Sequence, residues 1–397
     1  MRSKMKDNMH LSKDKDLHFE IGTAQINKYG EELCGDTIIT NNSPDKTAVI
    51  LSDGLGSGVK ANILSTLTTK IISVMLSKDC AIKDVLETLI NTLPICQVRH
   101  LAYSTFSIVN LEKNNKLHLV NYDNPPIVFI RNSQVMEVPY NRHEYSGKMI
   151  DETEILIKDG DLLVLMSDGE VHAGICNSVN LDWDWQKIAD FVRRLSLKPL
   201  TAQDIASELV NTASKLYAEQ PGDDISVAVI KVREKRYATL LIGSPIDKSQ
   251  DKEVVDRFMA LPGSHIICGG TTSNIVSRET GIEIEVDITT LTDGIPPVGK
   301  MKGVSLCCEG IITISNALKL MQSNVSYKNL ELHNNGASML VQELLKADEI
   351  LFMVGQSINP AHQTANMPME FGLKTQISQQ IAAHLSSLGK HINLEYY

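Results

Sequence analysis

Short apolar runs separated by polar turns dominate the first part of the chain. Their aliphatic and β-branched composition and their length of four to six residues predict strands rather than helices. These runs occupy residues 47–51, 105–109, 116–120, 127–130, 161–166 and 225–230. Between them, apolar residues recur at three-to-four spacing over residues 60–76, 82–93 and 202–216, which predicts amphipathic helices. Residues 19–235 are therefore predicted to form one strand-rich α+β domain.

A second pattern begins after the charged segment 231–236. Strand-like runs then alternate with helical stretches, which is typical of an α/β domain. The strands are predicted at residues 238–242, 265–268, 283–288, 304–308, 349–354 and 392–397, and the helices at 253–261, 338–347 and 373–388. We therefore expect a second, smaller α/β domain over residues 236–397, with a regulatory or ligand-sensing role. Residues 1–18 are expected to form a disordered polar tail.

Composition narrows the class of protein. A chain of 397 residues is too long for one ordinary core, and 43% hydrophobic residues are typical of a globular protein. The net charge of −10, without an arginine-rich stripe, argues against a nucleic-acid partner. No apolar run of about 18 residues and no signal-peptide pattern occur, so no membrane span is expected. The seven cysteines contain no Cys-x-x-Cys pair, which favours reduced thiols in the cytoplasm.

Acidic residues beside glycines are the main chemical signal in the first domain. The motifs are Gly35-Asp36-Thr37, Ser52-Asp53-Gly54, Ser167-Asp168-Gly169 and Gly222-Asp223-Asp224-Ile225. Each lies at the start or end of an apolar run, where a strand is expected to meet a loop. Hard divalent cations prefer carboxylate, carbonyl and water oxygens, so carboxylates at several strand ends can converge on one ion cluster. The pattern predicts a metal site.

A simpler interpretation of each motif is a helix cap or a glycine-rich turn. For Asp53 alone, capping of the following helix is about as plausible as metal binding. The repeat of Ser-Asp-Gly after a second apolar run weakens that interpretation. In addition, the adjacent carboxylates of Asp223 and Asp224 would repel each other before a buried strand unless a cation lay close to them.

The order of these motifs resembles that of the metal-dependent serine/threonine phosphatases (PPM, protein phosphatase 2C type), in particular their bacterial stage II sporulation protein E-like branch. The resemblance covers residues 19–232. It rests on the four motifs above, on the extended segment Leu51-Ser-Asp-Gly-Leu-Gly-Ser-Gly58 and on Asn121-Tyr-Asp-Asn-Pro-Pro126.

The resemblance implies a fold and a ligand set. The fold is a sandwich of two antiparallel sheets flanked by helices, with two Mn²⁺ or Mg²⁺ ions at one end. The residue matching Asp53 bridges both ions, and the glycine matching Gly54 gives its carbonyl oxygen to one of them. The residues matching Asp168 and Asp223 hold the other ion. Asp36 completes the cluster, and Asp224 ranks below Asp223 because the family often has asparagine there.

The implied activity is hydrolysis of phosphoserine or phosphothreonine on a partner protein, such as an anti-sigma-antagonist-like regulator. Asp36, Asp53, Asp168 and Asp223 would act through a metal-activated water. Leu55 stands where the wider family often has a histidine, so no proton donor for the leaving group is assigned. The alternative is a catalytically weak or inactive sensor or scaffold. A homodimer is compatible with either function.

The second domain offers one candidate ligand loop. A predicted strand leads into two glycines and three hydroxyl residues, namely Gly269, Gly270, Thr271, Thr272 and Ser273. Backbone N–H groups at such a turn can hold an anion. The same segment could equally be an ordinary capped loop between a strand and a helix. In the alternative function, this domain binds a small anionic ligand.

Overall fold

The computed structural model describes residues 16–42, 46–92, 104–112, 115–173, 183–292, 294–323, 330, 333–357 and 368–397. The chain divides into two compact units, Met1–Glu234 and Lys235–Tyr397. The predicted tail lies outside the described residues up to residue 15. Leu17 and His18, which the sequence assigned to that tail, belong instead to the first strand.

Two antiparallel sheets build the first unit. Its strands are β1 (Leu17–Ile26), β2 (Asp36–Asn42), β3 (Lys46–Gly54), β4 (Ser104–Glu112), β5 (Lys116–Tyr122), β6 (Val128–Arg131), β7 (Gln134–Met136), β8 (Asn141–Tyr145), β9 (Lys148–Leu156), β10 (Leu162–Met166) and β11 (Ile225–Glu234). One sheet has the strand order β1-β11-β10-β6-β7 and the other has the order β2-β3-β4-β5-β9-β8.

Helices cover the outer face of each sheet. They are α1 (Gly58–Ser77), α2 (Ile82–Thr92), α3 (Asp168–His172), α4 (Trp185–Ser196) and α5 (Ala202–Leu216). A central core lies between the sheets, where Leu51 and Val109 of one sheet face Leu163 and Ile230 of the other. Separate apolar clusters join α4 and α5 to the first sheet, and α1 and α2 to the second. This four-layer arrangement confirms the predicted helix-flanked sandwich.

Helix α1 has an unusual buried face. It packs small polar residues against the sheet, including Ser65, Thr68 and Thr69, and the Ser65 and Thr37 hydroxyl oxygens lie 2.8 Å apart. Among the described residues, α1 is the one helix long and apolar enough to cross a membrane by length and composition. The sequence analysis expected no such segment. In the fold, Ala61 and Ile72 of α1 are fully buried.

The second unit is a three-layer α/β structure. Its strands are β12 (Tyr237–Ile242), β13 (Ser264–Cys268), β14 (Glu285–Asp287), β15 (Val298–Met301), β16 (Val304–Cys308), β17 (Glu349–Val354) and β18 (His391–Tyr396). Its helices are α6 (Asp251–Ala260), α7 (Gly270–Thr280), α8 (Ile311–Gln322), α9 (Gly336–Lys346) and α10 (Pro368–Ser387). The sheet order is β14-β15-β16-β13-β12-β17-β18.

Five strands of this sheet are parallel, in the spatial order β16-β13-β12-β17-β18. Both faces are covered: Leu240 and Phe352 contribute to one apolar cluster, while Leu241 and Met353 contribute to the other. The chain fills the sheet on one side of β12 first, through β13 and β16, and then returns to the other side with β17. The strand order therefore reverses between β12 and β17.

Candidate metal centre

Two of the predicted ligands lie opposite each other in the second sheet of the first unit. Asp36 begins β2 and Asp53 lies near the end of β3, and the antiparallel register pairs these two residues directly. The pairing continues beyond the strands, since the Gly54 amide donates to the Gly35 carbonyl at 3.3 Å. A glycine is required at 54, because a Cβ there would lie 2.0 Å from the carbonyl oxygen of Ala61 in α1.

The other two ligands come from neighbouring loops of the first sheet. Asp168 follows β10 and Asp223 precedes β11, and these two strands are paired. The Ser167 amide donates to the Ser226 carbonyl at 2.9 Å, and the Ser226 amide donates to the Ser167 hydroxyl at 3.0 Å. At Gly169, a Cβ would lie 2.1 Å from the carbonyl oxygen of Asp224. The two loops are therefore in close backbone contact.

Asp224 joins the loops of the two sheets. One of its carboxylate oxygens accepts the Lys28 amide and the other accepts the Gly35 amide, each at 2.9 Å. Its side chain is buried. Asp224 was predicted among the metal ligands, ranked below Asp223, and that role stays a prediction. These two hydrogen bonds give its carboxylate a structural role as well, because they fix the segment immediately before Asp36.

The carboxylates interact electrostatically with one another, and this interaction adds to the effect of burial on the pKa values of three of them. Burial raises the pKa of Asp36 to about 7; hydrogen bonds from the hydroxyls of Ser226 and Ser167 partly offset this, and the nearby Asp224 and Asp168 add to it. Burial also raises the pKa of Asp53 to about 9, with further increases from neighbouring aspartates, Asp36 foremost. The pKa of Asp223 is raised by its burial and then by Asp168. Four strand ends therefore bring their acids within electrostatic reach of one another.

This donor set fits a hard divalent cation. All side-chain donors are carboxylate oxygens, and Asp36 Oδ2 is buried without a hydrogen-bond partner in the described part of the chain. Clustered carboxylates of this kind lack a compensating charge, and such a charge is what a bound cation supplies. In the described part of the chain, no three Asp, Glu, His or Cys side chains already form a compact ligand group. The acids therefore lie near one another, but their side chains are not arranged as a compact ligand group.

A pH dependence of stability follows for the metal-free protein. The pKa values of Asp36 and Asp53 are higher in the fold than the ordinary value of 3.8, so the native state holds more protons than the unfolded state between that value and about 9. Stability should therefore fall as pH rises through this window. We expect the thermal midpoint in EDTA to decrease from about pH 5 to about pH 9, and to decrease less in Asp53→Asn. Equal slopes for the two proteins would contradict this origin of the effect.

Some residues at the site carried no recognisable sequence signal. Glu170 is fully buried, and neither of its carboxylate oxygens has a hydrogen-bond partner among the described residues. Burial raises its pKa well above the ordinary value. The charge of Lys28 lowers the pKa of Asp223 against the larger effect of burial. His172 Nδ1 lies 3.8 Å from Asp168 Oδ2. Only His172, because it closely follows Asp168, could have been selected from the sequence.

The asparagine motif before Pro125 has a structural role. The Asn124 side chain accepts from the Thr105 hydroxyl at 2.5 Å and donates to the Ser107 hydroxyl at 3.1 Å. The Asn121 side chain accepts from the Ser107 hydroxyl at 2.6 Å and donates to the Asn124 carbonyl at 2.8 Å. These bonds fix the end of β5 against β4, next to the strand that carries Asp53.

The candidate loop of the second unit is only partly available to a ligand. Thr272 and Ser273 are buried. The Thr272 hydroxyl accepts the Gly243 amide at 2.9 Å, and the Ser273 hydroxyl lies 3.2 Å from Cys307 Sγ. Thr271 is exposed, while Gly269 and Gly270 are half-buried. Two of the three hydroxyls therefore hold the loop in place, and its role as a ligand loop stays a prediction.

Comparison with known proteins identifies relatives of the first unit. Residues 43–233 match the family model "Stage II sporulation protein E (SpoIIE)". The curated protein Stage II sporulation protein E of Bacillus subtilis (strain 168) is 28% identical over 228 residues, which are 55% of this chain and 26% of that protein. The match therefore spans about a quarter of the length of this relative.

Solved structures with a similar fold include two bacterial phosphatases. The PP2C phosphatase domain of SpoIIE from Bacillus subtilis, solved with a fragment of its regulatory domain, has a TM-score of 0.49 and 23% identity, covering 56% of this chain and 66% of that chain. The serine/threonine phosphatase of S. agalactiae has a TM-score of 0.40 and 17% identity, covering 54% of this chain and 99% of that chain.

Proposed function

Because residues 43–233 form a SpoIIE-like domain of the metal-dependent (PPM) phosphatase family, we propose that this chain hydrolyses phosphoserine or phosphothreonine on a regulatory partner protein. The observation that carries the proposal is the convergence of Asp36, Asp53, Asp168 and Asp223 in one electrostatic field. A fold alone can host many functions, whereas four clustered carboxylates are the oxygen donors that cation-assisted chemistry requires.

Each acid has a defined part in the proposal. Asp53 and the Gly54 carbonyl, with Asp36 opposite, would hold Mn²⁺ or Mg²⁺ from the second sheet, while Asp168 and Asp223 would hold it from the first. Two bound ions would lower the pKa of an attacking water and neutralise charge on the phosphoryl oxygens. Asp224 positions the loop before Asp36, and it makes no contact with substrate in this scheme.

A protein-borne phosphate suits the exposure of the site. The side chain of Asp168 is 45% exposed, whereas Asp36 is buried at 4%. Solvent exposure therefore increases from Asp36 in the interior to Asp168 at the surface. A phosphorylated side chain that protrudes from a partner protein can approach from the Asp168 side. We propose an anti-sigma-antagonist-like regulator as the partner and the cytoplasm as the compartment, where the free thiols of the described cysteines stay reduced.

The test is phosphate release by the full chain from p-nitrophenyl phosphate and from a phosphoserine peptide. We expect release from both substrates with Mn²⁺ or Mg²⁺, and none above background in EDTA. Tight metal binding without any release from either substrate would contradict the proposal, and it would favour the alternative of an inactive sensor or scaffold.

A further inference from the structure

We propose that the second unit binds the phosphate group of a small ligand at the carboxyl ends of β12 and β17, with Lys374 of α10 as the cationic contact. This site is separate from the acidic cluster and does not depend on the proposed phosphatase activity. It is supported by the strand order, by the glycines at two strand ends and by an ammonium group that has no counter-ion among the described residues.

The strand order predicts where a ligand would bind. The strands β12 and β17 are neighbours in the sheet. From β12 the chain continues to β13 on one side of this pair, and from β17 it continues to β18 on the other side. In open parallel sheets, such a reversal leaves a crevice outside the carboxyl ends of the two central strands, and ligands bind there. In this unit, the residues that follow these ends are Gly243-Ser244 after β12 and Gly355-Gln356-Ser357 after β17.

Glycines allow three segments to approach closely at this edge. Gly243 has a φ of +82°, and a Cβ on it would lie 2.3 Å from Lys374 Nζ. A Cβ on Gly355 would lie 2.3 Å from the Ser244 carbonyl oxygen. The Lys374 ammonium therefore lies directly against the backbone at the end of β12, in space that any side chain at 243 would fill. The backbone N–H groups of Gly243, Gly355 and Ser357 already donate to protein oxygens, so the ammonium and the serine hydroxyls are the groups left to contact a phosphate.

The ammonium of Lys374 has no counter-ion in the part of the chain that the structure describes. No hydrogen bond or ion pair between described residues involves Nζ, although the side chain is half-buried. Burial lowers its pKa, and no carboxylate of the described residues opposes this. A desolvated charge without a partner is unfavourable, and an anion in the crevice would compensate it. A lysine is a point charge commonly used for phosphate, whereas paired recognition of a carboxylate favours arginine.

Neighbouring polar groups limit where the anion can lie. The hydroxyls of Ser244 and Ser357 contact each other across the two strand ends and can turn toward a ligand. Glu309 follows β16 and lies near the start of α7, since its carboxylate oxygen would be 3.2 Å from a Cβ on Gly270. This negative charge disfavours an anion at the start of α7. The phosphate is therefore confined to the β12 and β17 side, near Lys374.

The test is titration of the full chain with inorganic phosphate in EDTA. Calorimetry measures the binding of phosphate, and thermal unfolding measures its effect on stability. The variant is Lys374→Met, and the matched control is Lys302→Met, since Lys302 is exposed in the turn between β15 and β16, where β16 begins at the opposite edge of the sheet. We expect at least about tenfold weaker phosphate binding in Lys374→Met and unchanged binding in Lys302→Met.

Stability separates a binding role from a packing role. Without phosphate, Lys374→Met should unfold at the same or a higher temperature than wild type, because it removes a desolvated charge. Phosphate should stabilise wild type and Lys302→Met, but not Lys374→Met. Equal phosphate binding in all three proteins, or no phosphate binding by wild type, would overturn the proposal.

Two further ligands, AMP and acetate, test which anion the site binds. AMP binding more tightly than inorganic phosphate, with the same dependence on Lys374, would support the site and identify a nucleotide. Acetate binding more tightly than phosphate would overturn the choice of phosphate. The titrations are repeated in an Asp53→Asn background, where an unchanged result shows that the phosphate is not bound at the acidic cluster.

Discussion

Replacement of Asp53 by asparagine is expected to lower Mn²⁺-dependent hydrolysis by about 100-fold or more, since even residues that only support metal ligands contribute 10–100-fold. Asp53 is the acid most strongly influenced by the others, because Asp36, Asp168, Asp223 and Asp224 all raise its pKa after burial does. Asparagine keeps the shape of the side chain but loses its negative charge and one of its two oxygen ligands. The measurement is steady-state hydrolysis of p-nitrophenyl phosphate over a Mn²⁺ titration.

The stability of this variant distinguishes a functional loss from a folding defect. In the metal-free state the pKa of Asp53 is about 9, so at neutral pH folding must protonate this carboxyl, which costs free energy. The asparagine side chain of Asp53→Asn has no such cost, so the free energy of unfolding of this variant in EDTA should equal or exceed that of wild type. Asp190→Asn is the control, because the Asp190 side chain is 49% exposed on α4 and only 3.7 Å from Arg193. Retained activity in Asp53→Asn, or equal losses in both variants, would contradict the assignment.

The strands that the sequence predicted share a physical property. In the first unit, β3, β4, β5, β6, β10 and β11 are interior strands of their sheets, and burial gives them apolar runs that are continuous in β3, β6 and β10 and alternate with polar residues in β4 and β5. The interior strand β9 was not predicted, because only Ile150 and Thr153 of its nine residues are buried. All four edge strands of this unit, β1, β2, β7 and β8, lacked such runs and were not predicted. The five residues of β8 show why, since four are exposed and polar. An edge strand needs partners on one side only, and its pattern is correspondingly weak.

The sequence predicts which residues form the acidic cluster, but it does not predict the hydrogen bonds that distinguish Asp224 from the others. Asp36, Asp53, Asp168 and Asp223 were visible because each adjoins a glycine and an apolar run. Asp224 differs from its neighbour Asp223 only in the direction of its side chain, which depends on the position of Gly35, 189 residues away in the chain. Such long-range hydrogen bonds leave no local pattern, and neither does the approach of Lys374 to Gly243 in the second unit.

The Gly54→Ala variant should lose both stability and activity, unlike Asp53→Asn. The added methyl would lie 2.0 Å from the Ala61 carbonyl oxygen and 2.6 Å from its carbonyl carbon, and these are backbone atoms that cannot rotate away. Helix α1 would have to move from β3. We expect a destabilisation of about 3 kcal/mol, at the upper end for overpacking, measured by urea unfolding. Displacing Asp53 by about 1 Å should lower hydrolysis by about 100-fold.

A matched glycine shows that the close contact, rather than the methyl group itself, causes this loss. Gly372 lies within α10, and a Cβ there would meet no atom within 4 Å. Gly372→Ala should therefore keep full activity and gain about 0.5–1 kcal/mol of stability, because alanine restricts the unfolded chain and favours a helix. If Gly54→Ala were as stable and as active as Gly372→Ala, then α1 would not be held against β3 at the acidic cluster. The position of Asp53 would in that case not depend on this packing.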